Sequence, residues 1–354
     1  MSHTEKKMLW WGRSDPEYSR NGVLRQHLRA LGWEIADFSP RVSSLGDIEA
    51  ALRRLPRPDV VWVPCFRQRD VSAARRWCDR KGGVPLVFDP LISAYDKQVW
   101  ERSKLKDGDR SAERLLAWER ARFARADRVI ADTASHAAFF EETLEVAREK
   151  LRVVYVGADE TLFRPAAAPA RVAGAPVDAL FYGSFIPLHG ARTIIEAARA
   201  YQGPPVRWSL LGDGPSKPEC QRAARALPNV VFEARLPYAA LPARIHRADI
   251  LLGVFGATQK AGRVIPNKVF QALASGRPVV TRVSEAYPAA ARESEAVAWV
   301  PPGDAGALAD AVAAWASEPE RLAARSQSAR DLYDACFAAP VIRAQIAAAL
   351  DGLG

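Results

Sequence analysis

The sequence predicts an α/β protein built as two units, each a parallel sheet covered by helices on both faces. Three observations carry this. Short apolar runs alternate with helical patterns from end to end, and a Pro/Ala/Gly stretch, RPAAAPARVAGAP, splits the alternation into two series. The length of 354 residues also exceeds what one core normally supports, about 250–300 residues.

In the first series KMLWW, WEIADF, DVVWV, PLVFD, RVIAD and LRVVYV read as six strands. Between them lie helical segments at Asn21–Leu31, Val71–Lys81 and Ser111–Ala126. The last places Leu115, Leu116, Trp118, Ala121 and Phe123 among charged residues, as one buried stripe requires. The second series supplies DALFYG, RWSLLG, NVVFE, DILLGV, PVVTR and AVAWV, followed by a helical, alanine-rich tail from Glu318 to Leu350. The domain boundaries expected are 1–165 and 176–335.

Apolar content of 49% and charged content of 26% describe a globular chain. No run approaches the ~18 apolar residues of a membrane span, and the first residues lack the apolar segment of a signal peptide. Cys65, Cys78, Cys220 and Cys336 have no metal-like spacing and read as reduced thiols, which places the chain in the cytoplasm. The net charge of +9 suits an anionic ligand, an anionic membrane face or nucleic acid. No recognition helix, RNP-type strand or zinc module is present, so a nucleic-acid partner is not expected.

Ligands of such sheets bind beyond the carboxyl ends of the strands. Three glycine-bearing loops fall there in the second series: Ser184 to Gly190 after DALFYG, Asp213-Gly214-Pro215 after RWSLLG, and the loop leading to Lys268 after DILLGV. Gly183 and Gly212 would let a ligand approach the backbone. In GRVIPNKVFQALASGRPVV, Pro266 suits the first helical position, and the amides of Asn267 and Lys268 would point out of a positive helix end. Gln271 shares a face with Lys268, so the pair could hold a diphosphate and a ribose diol. An ordinary surface helix with a solvated lysine is the alternative. His189 precedes a helix start and reads as a phosphate or sugar contact, or else as a hydrogen-bonded loop residue. His27 and His246 read as structural, and His136, after Asp132-Thr133, as a weak candidate for the crevice.

The segments FYGSFIPLHGARTIIEAA, WSLLGDGP, ADILLGVFG and VIPNKVFQALASGRPVV, in that order, resemble the nucleotide-binding domain of GT-B fold glycosyltransferases of the large retaining family 4. VGADETLFRP, ADRVIADTASHAAFF and DLYDACF extend the resemblance over most of the chain. It implies two Rossmann-like domains, with a last helix (336–354) crossing back onto the first. It also implies sugar transfer from a nucleotide sugar to a glycan or lipid-linked acceptor, with retained configuration and the leaving phosphate taking the acceptor proton.

The donor contacts implied are Gly183, Ser184, Gly190, Gly212, Asp213 and Gly214, and Arg263, Val264, Ile265, Asn267 and Gln271. Many relatives carry arginine at Ser184, lysine at His189, and glutamates at Arg263 and Gln271, so the sugar contacts here must be rebuilt. On the acceptor side Gly12, Arg13, Tyr95 and Asp132 are expected. Asp89, after PLVFD, would orient an acceptor hydroxyl or steady an oxocarbenium-like carbon, unless it merely caps the turn before Pro90. Asp89, His189 and Lys268 are therefore the catalytic candidates.

Lys106-Asp107-Gly108-Asp109 contains an Asp-x-Asp but follows no apolar strand, and reads as a solvated turn. No metal and no cofactor is expected, since positive helix ends and Lys268 would take the charge of the leaving diphosphate. The basic segment Lys97 to Arg114 suits peripheral contact with an anionic membrane at its inner face. Hinges are expected near Ala166–Ala175 and Asp334–Ala339. An epimerase of the same fold and a non-catalytic nucleotide-sugar-binding protein remain as rivals, whereas a dehydrogenase would need a Gly-x-Gly-x-x-Gly turn that is absent.

Overall fold

The computed structural model describes residues 6–15, 18–166 and 174–353. Two compact units emerge, one formed by residues 1–157 and 339–354, the other by 158–338. The break thus falls at Gly157/Ala158 rather than at 165. Residues just after it pack inside the second unit, where Ala158 N–H donates to the Tyr333 hydroxyl (3.3 Å) and Phe163 meets the Tyr238 ring edge-on at 5.4 Å. Most of the Pro/Ala/Gly stretch, and with it the first expected hinge, lies outside the described residues.

The first unit holds strands β1 (Lys6–Trp11), β2 (Trp33–Phe38), β3 (Val60–Val63), β4 (Leu86–Phe88), β5 (Arg128–Ala131) and β6 (Leu151–Val153). Its helices are α1 (Ser19–Ala30), α2 (Gly46–Leu52), α3 (Val71–Arg80), α4 (Ala94–Asp96), α5 (Arg110–Phe123) and α6 (Ala134–Glu142). The second unit holds β7 (Val177–Gly183), β8 (Val206–Gly212), β9 (Val230–Glu233), β10 (Ile250–Leu252), β11 (Val279–Arg282) and β12 (Val297–Val300). Its helices are α7 (Ala191–Ala200), α8 (Lys217–Ala223), α9 (Leu241–His246), α10 (Asn267–Ala274), α11 (Ala289–Glu293), α12 (Ala305–Ala316) and α13 (Leu322–Cys336). Every strand read from the sequence is present.

Both sheets are parallel, ordered β2-β1-β3-β4-β5-β6 and β12-β11-β10-β7-β8-β9. The order reverses between β1 and β3 in one and between β7 and β10 in the other, and such switch points open crevices at the strand ends. Buried faces explain the unbroken apolar strands: Trp10 stacks on Trp62 (5.9 Å), and Phe181, Leu210, Ile250 and Val280 fill the second core. The tail is two helices, and the break between them falls within Asp334–Ala339. α13 ends at Cys336, Phe337 packs on Phe270 (4.9 Å), and α14 (Ala339–Leu350) sets Ile342, Ile346 and Ala349 in the first unit's core with Leu24, Leu28 and Val154.

Candidate active site

The switch point of the second sheet gathers the strongest chemistry. β7 ends at Gly183, and the chain then makes a short 3-10 turn, Pro187–His189, before α7. Gly190 caps α7 at φ +63, where an added Cβ would lie 2.6 Å from the Gly256 nitrogen and the Phe255 carbonyl carbon. That close approach lets Phe255 and Gly256 donate to the carbonyls of His189 (3.1 Å) and Leu188 (3.2 Å), zipping the loop after β10 to the loop after β7. His189 is thereby held with its ring against the edge of Phe181, centroids 5.7 Å apart.

Lys268 arrives from the other side, as the second residue of α10. Pro266 is the N-cap, with extended backbone (φ −71, ψ 147), so Asn267 rather than Pro266 is the first helical residue. The Lys268 ammonium stands 3.9 Å from the centroid of the Phe181 ring. It and His189 converge on Gly183: a Cβ there would come within 3.0 Å of Lys268 Nζ, 3.0 Å of His189 Nδ1 and 2.8 Å of His189 Cε1. Both side chains are buried, and neither Lys268 Nζ nor His189 Nδ1 has a hydrogen-bond partner. Burial holds the Lys268 ammonium well below the ordinary lysine range; burial and the neighbouring Lys268 charge hold His189 well below the ordinary histidine range. Neither α7 nor α10 has an acidic first turn or a side-chain cap, so two positive helix ends remain open. A lysine amine and an imidazole nitrogen, both buried without partners beside a glycine with no Cβ, fit an anion site.

Next to this cradle lies a cavity of about 500 Å³, lined by Ser184, Gly212, Gly214, Arg235, Tyr238 and Leu241 among others. Gly183 and Gly212 pair across β7 and β8. Gly212 (φ +126) would place a Cβ 2.1 Å from the Gly183 carbonyl oxygen, and Gly214 (φ +148) would place one 1.6 Å from that of Ser184. Only glycine allows the two loops to form this wall. Asp213 is exposed and accepts from the Gly214 N–H (2.8 Å).

Several expected contacts are corrected. The Gln271 amide does not lie open for a ribose: its oxygen accepts from the Tyr182 hydroxyl (2.8 Å), and its nitrogen donates to the Tyr238 hydroxyl (3.4 Å). Tyr182 and Tyr238 face the cavity in its place. The Arg263 guanidinium donates to Gln259 Oε1 (2.9 Å). Val264 packs on a small cluster of Leu188, Val254 and Ala261, and Ile265 is buried, so both shape the loop from beneath. Asn267 is half-buried at the helix start. Arg235, Leu236 and Tyr238 were missed because the loop after β9 carries no glycine signature.

In the first unit, Asp89 is fully buried and both of its oxygens accept from Arg20 at 3.0 Å. Arg20 also donates to the carbonyls of Val154 (2.8 Å) and Tyr155 (2.9 Å). Asp89 thus anchors Arg20 and presents no open carboxylate to an acceptor. Burial lifts its carboxyl above the usual range against the pull of Arg20. Gly12 (φ +136) ends β1 against the Arg67 side chain. The Arg13 guanidinium is occupied by the carbonyls of Pro40 (2.9 Å) and Arg41. The Tyr95 hydroxyl donates to Asp107, which lies in an exposed turn as the sequence leads one to expect; burial and Asp107 push that phenol up to about 12. Asp132 meets His136 Nδ1 at 2.6 Å, and His136 Nε2 is buried without a partner. No group of three or more metal-ligating side chains occurs among the described residues.

Comparison with known proteins agrees with this architecture. Residues 176–318 match the family described as glycosyl transferases group 1, and residues 11–157 match a glycosyl transferase 4-like domain. The chain belongs to the group 1 glycosyltransferases of GT-B fold and is a glycosyltransferase. It is 28% identical over 336 residues to a D-inositol 3-phosphate glycosyltransferase of Thermobispora bispora, a match covering 87% of this chain and 75% of that protein. It is 29% identical over 214 residues to the putative colanic acid biosynthesis glycosyltransferase WcaL of Escherichia coli, covering 58% and 52%. Among solved structures, Anabaena HepE in complex with UDP superposes with a TM-score of 0.71 at 16% identity, over 97% of this chain and 99% of that one.

Proposed function

We propose that this enzyme takes its sugar from a nucleoside-diphosphate sugar bound at the switch point of the second unit. The sugar passes to a hydroxyl of a glycan or lipid-linked acceptor bound at the strand ends of the first. The observation that carries the reading is the pair of buried, unpartnered nitrogens of Lys268 and His189 around Gly183. A diphosphate there would give both groups an acceptor, restore the lysine charge, and lie on the open ends of α7 and α10. The 500 Å³ cavity beside them would take the nucleoside, with Tyr182 and Tyr238 toward the ribose. That HepE was crystallised with UDP supports the same class of donor.

Departure of the diphosphate leaves negative charge on its outer phosphate, and preorganised donors stabilise such charge without reorganisation. In this proposal Lys268 and the helix ends do so without a metal or cofactor. The departing phosphate takes the acceptor proton, and the anomeric configuration is retained. Four unpaired cysteines suit a cytoplasmic enzyme. Incubation with UDP-, GDP- and ADP-hexoses and a panel of glycan and lipid acceptors tests the proposal, since nucleotide release should require both partners. Epimerised donor without acceptor would identify an epimerase, and binding without turnover a non-catalytic protein.

A further inference from the structure

The first unit carries a buried acid–histidine pair that the proposed chemistry leaves unused. β5 runs between β4 and β6 and delivers Asp132 at its carboxyl end, in the row of strand ends that also holds Asp89. α6 starts two residues later, so His136 lies one helical turn beyond Asp132 and reaches back to it, with Nδ1 2.6 Å from Oδ1. The pair is not needed to start the helix. Thr133 does that, its hydroxyl accepting from the His136 N–H (3.0 Å). Packing does not call for an imidazole either. The ring lies 4.3 Å from that of Phe140, where an apolar ring would leave no polar atom stranded. Yet His136 is fully buried and its Nε2 has no hydrogen-bond partner.

Hydrogen-bond polarity decides what that nitrogen can meet. An ionised carboxylate only accepts, so the Asp132 contact places the proton of a neutral ring on Nδ1. Nε2 is then a bare acceptor on the far edge of the ring and can take only a donor. Sugar hydroxyls are such donors, whereas ionised phosphates and carboxylates are not. Burial, with Cys65, Asp132 and Asp89 adding and Arg20 opposing, holds the Tyr18 phenol above its ordinary range, which sets Tyr18 beside the ends of β3, β4 and β5. The Tyr18 ring meets Phe66 edge-on at 5.1 Å, and Phe66 is 44% exposed. Phe66 sits at φ +65, a conformation that a bulky residue holds only where its surroundings impose it. Tyr18 therefore joins the acid of the buried pair to an exposed aromatic rim, and aromatic faces suit the apolar faces of sugar rings.

We infer that His136 Nε2 accepts a hydrogen bond from a hydroxyl of the acceptor sugar, and that Asp132 is a positioning residue that fixes the ring's tautomer. The inference rests on the reading that the acceptor lies at the strand ends of the first unit. The test uses the full-length protein with ring-15N-labelled histidine, with and without UDP, and methyl α-D-glucoside, α-D-mannoside and α-D-galactoside as probes. The chain has five histidines, so the His136 signals are identified by their loss in His136→Asn. At mildly alkaline pH the wild type should show a proton on Nδ1 and none on Nε2, at least one glycoside should shift Nε2, and Asp132→Asn should mix the two tautomers. In transfer assays with the nucleotide hexose that supports turnover, His136→Asn keeps an amide toward Asp132 but nothing at the Nε2 position. It should lower kcat/KM for the responding glycoside by on the order of 10-fold, with the donor KM and transfer to water unchanged. His136→Gln, which can set an oxygen near the Nε2 position, should recover most of the loss. A proton on Nε2, no glycoside that shifts it, or equal use of the glycoside by His136→Asn overturns the inference. The spectra need no turnover, so they decide even if a variant fails to fold or no sugar is transferred. Transfer that survives His136→Asn removes this inference and leaves the donor reading standing.

Discussion

Replacing Lys268 with methionine should move stability and activity in opposite directions. The substitution keeps an unbranched side chain against Phe181 and removes a buried terminal nitrogen that lacks any hydrogen-bond partner. A buried polar group left unsatisfied costs about 1–3 kcal/mol, so the empty variant should be more stable by roughly that amount. For a domain of this size each kcal/mol shifts Tm by about 2–4 °C, which puts the second unit's transition roughly 2–12 °C higher. Loss of one preorganised donor to the leaving phosphate costs about 3–4 kcal/mol of barrier, a fall in kcat of roughly 100- to 1000-fold. Ligand-free calorimetry and steady-state turnover read the two effects. A variant that melts lower, or one whose kcat stays within about threefold of the wild type, would refute the reasoning.

The same lysine predicts proton uptake on ligand binding. Its folded pKa is depressed below 10.5, so in the empty protein its contribution to stability rises with pH toward about 10.5 and is lost as pH falls through the depressed value. A bound diphosphate restores the charge; titration calorimetry in buffers of different ionisation heat should show net uptake that Lys268→Met reduces, and uptake unchanged by the variant would argue otherwise. Gly212→Ala and Gly214→Ala should each abolish nucleotide binding and destabilise by more than about 2 kcal/mol, since each sets a Cβ onto a neighbouring carbonyl at positive φ; denaturant midpoints within experimental scatter of wild type would contradict this. Asp89→Ala should cost about 3–5 kcal/mol by stranding the Arg20 guanidinium, and Arg20→Met/Asp89→Leu should cost less than the single change. Additive losses in the double variant would mean the two residues do not act as a pair.

Much of this was visible in the chain itself, for a physical reason. Strands buried on both faces are unbroken apolar runs, so β1 to β12 could each be read from local composition. His189 and Lys268 could be found because they follow β7 and β10, and loops at strand ends are where such sheets place ligands. The partners of long polar side chains were not readable. Nothing local says that Arg20 reaches Asp89, 69 residues away, or that Gln271 spends its amide on Tyr182 and Tyr238. Those pairings depend on which strands become neighbours. The break inside the tail was legible only through the family resemblance, because alanine-rich sequence stays helical on both sides of Phe337.

Thermal melting of the intact protein with UDP, GDP and ADP, each beside its parent nucleoside, bears most directly on the diphosphate cradle. At ~100 times its dissociation constant the right nucleotide adds about 2.7 kcal/mol, and its nucleoside should add far less because it leaves Lys268 and His189 without an acceptor. Equal shifts from nucleotide and nucleoside, or none from any diphosphate, would contradict the account.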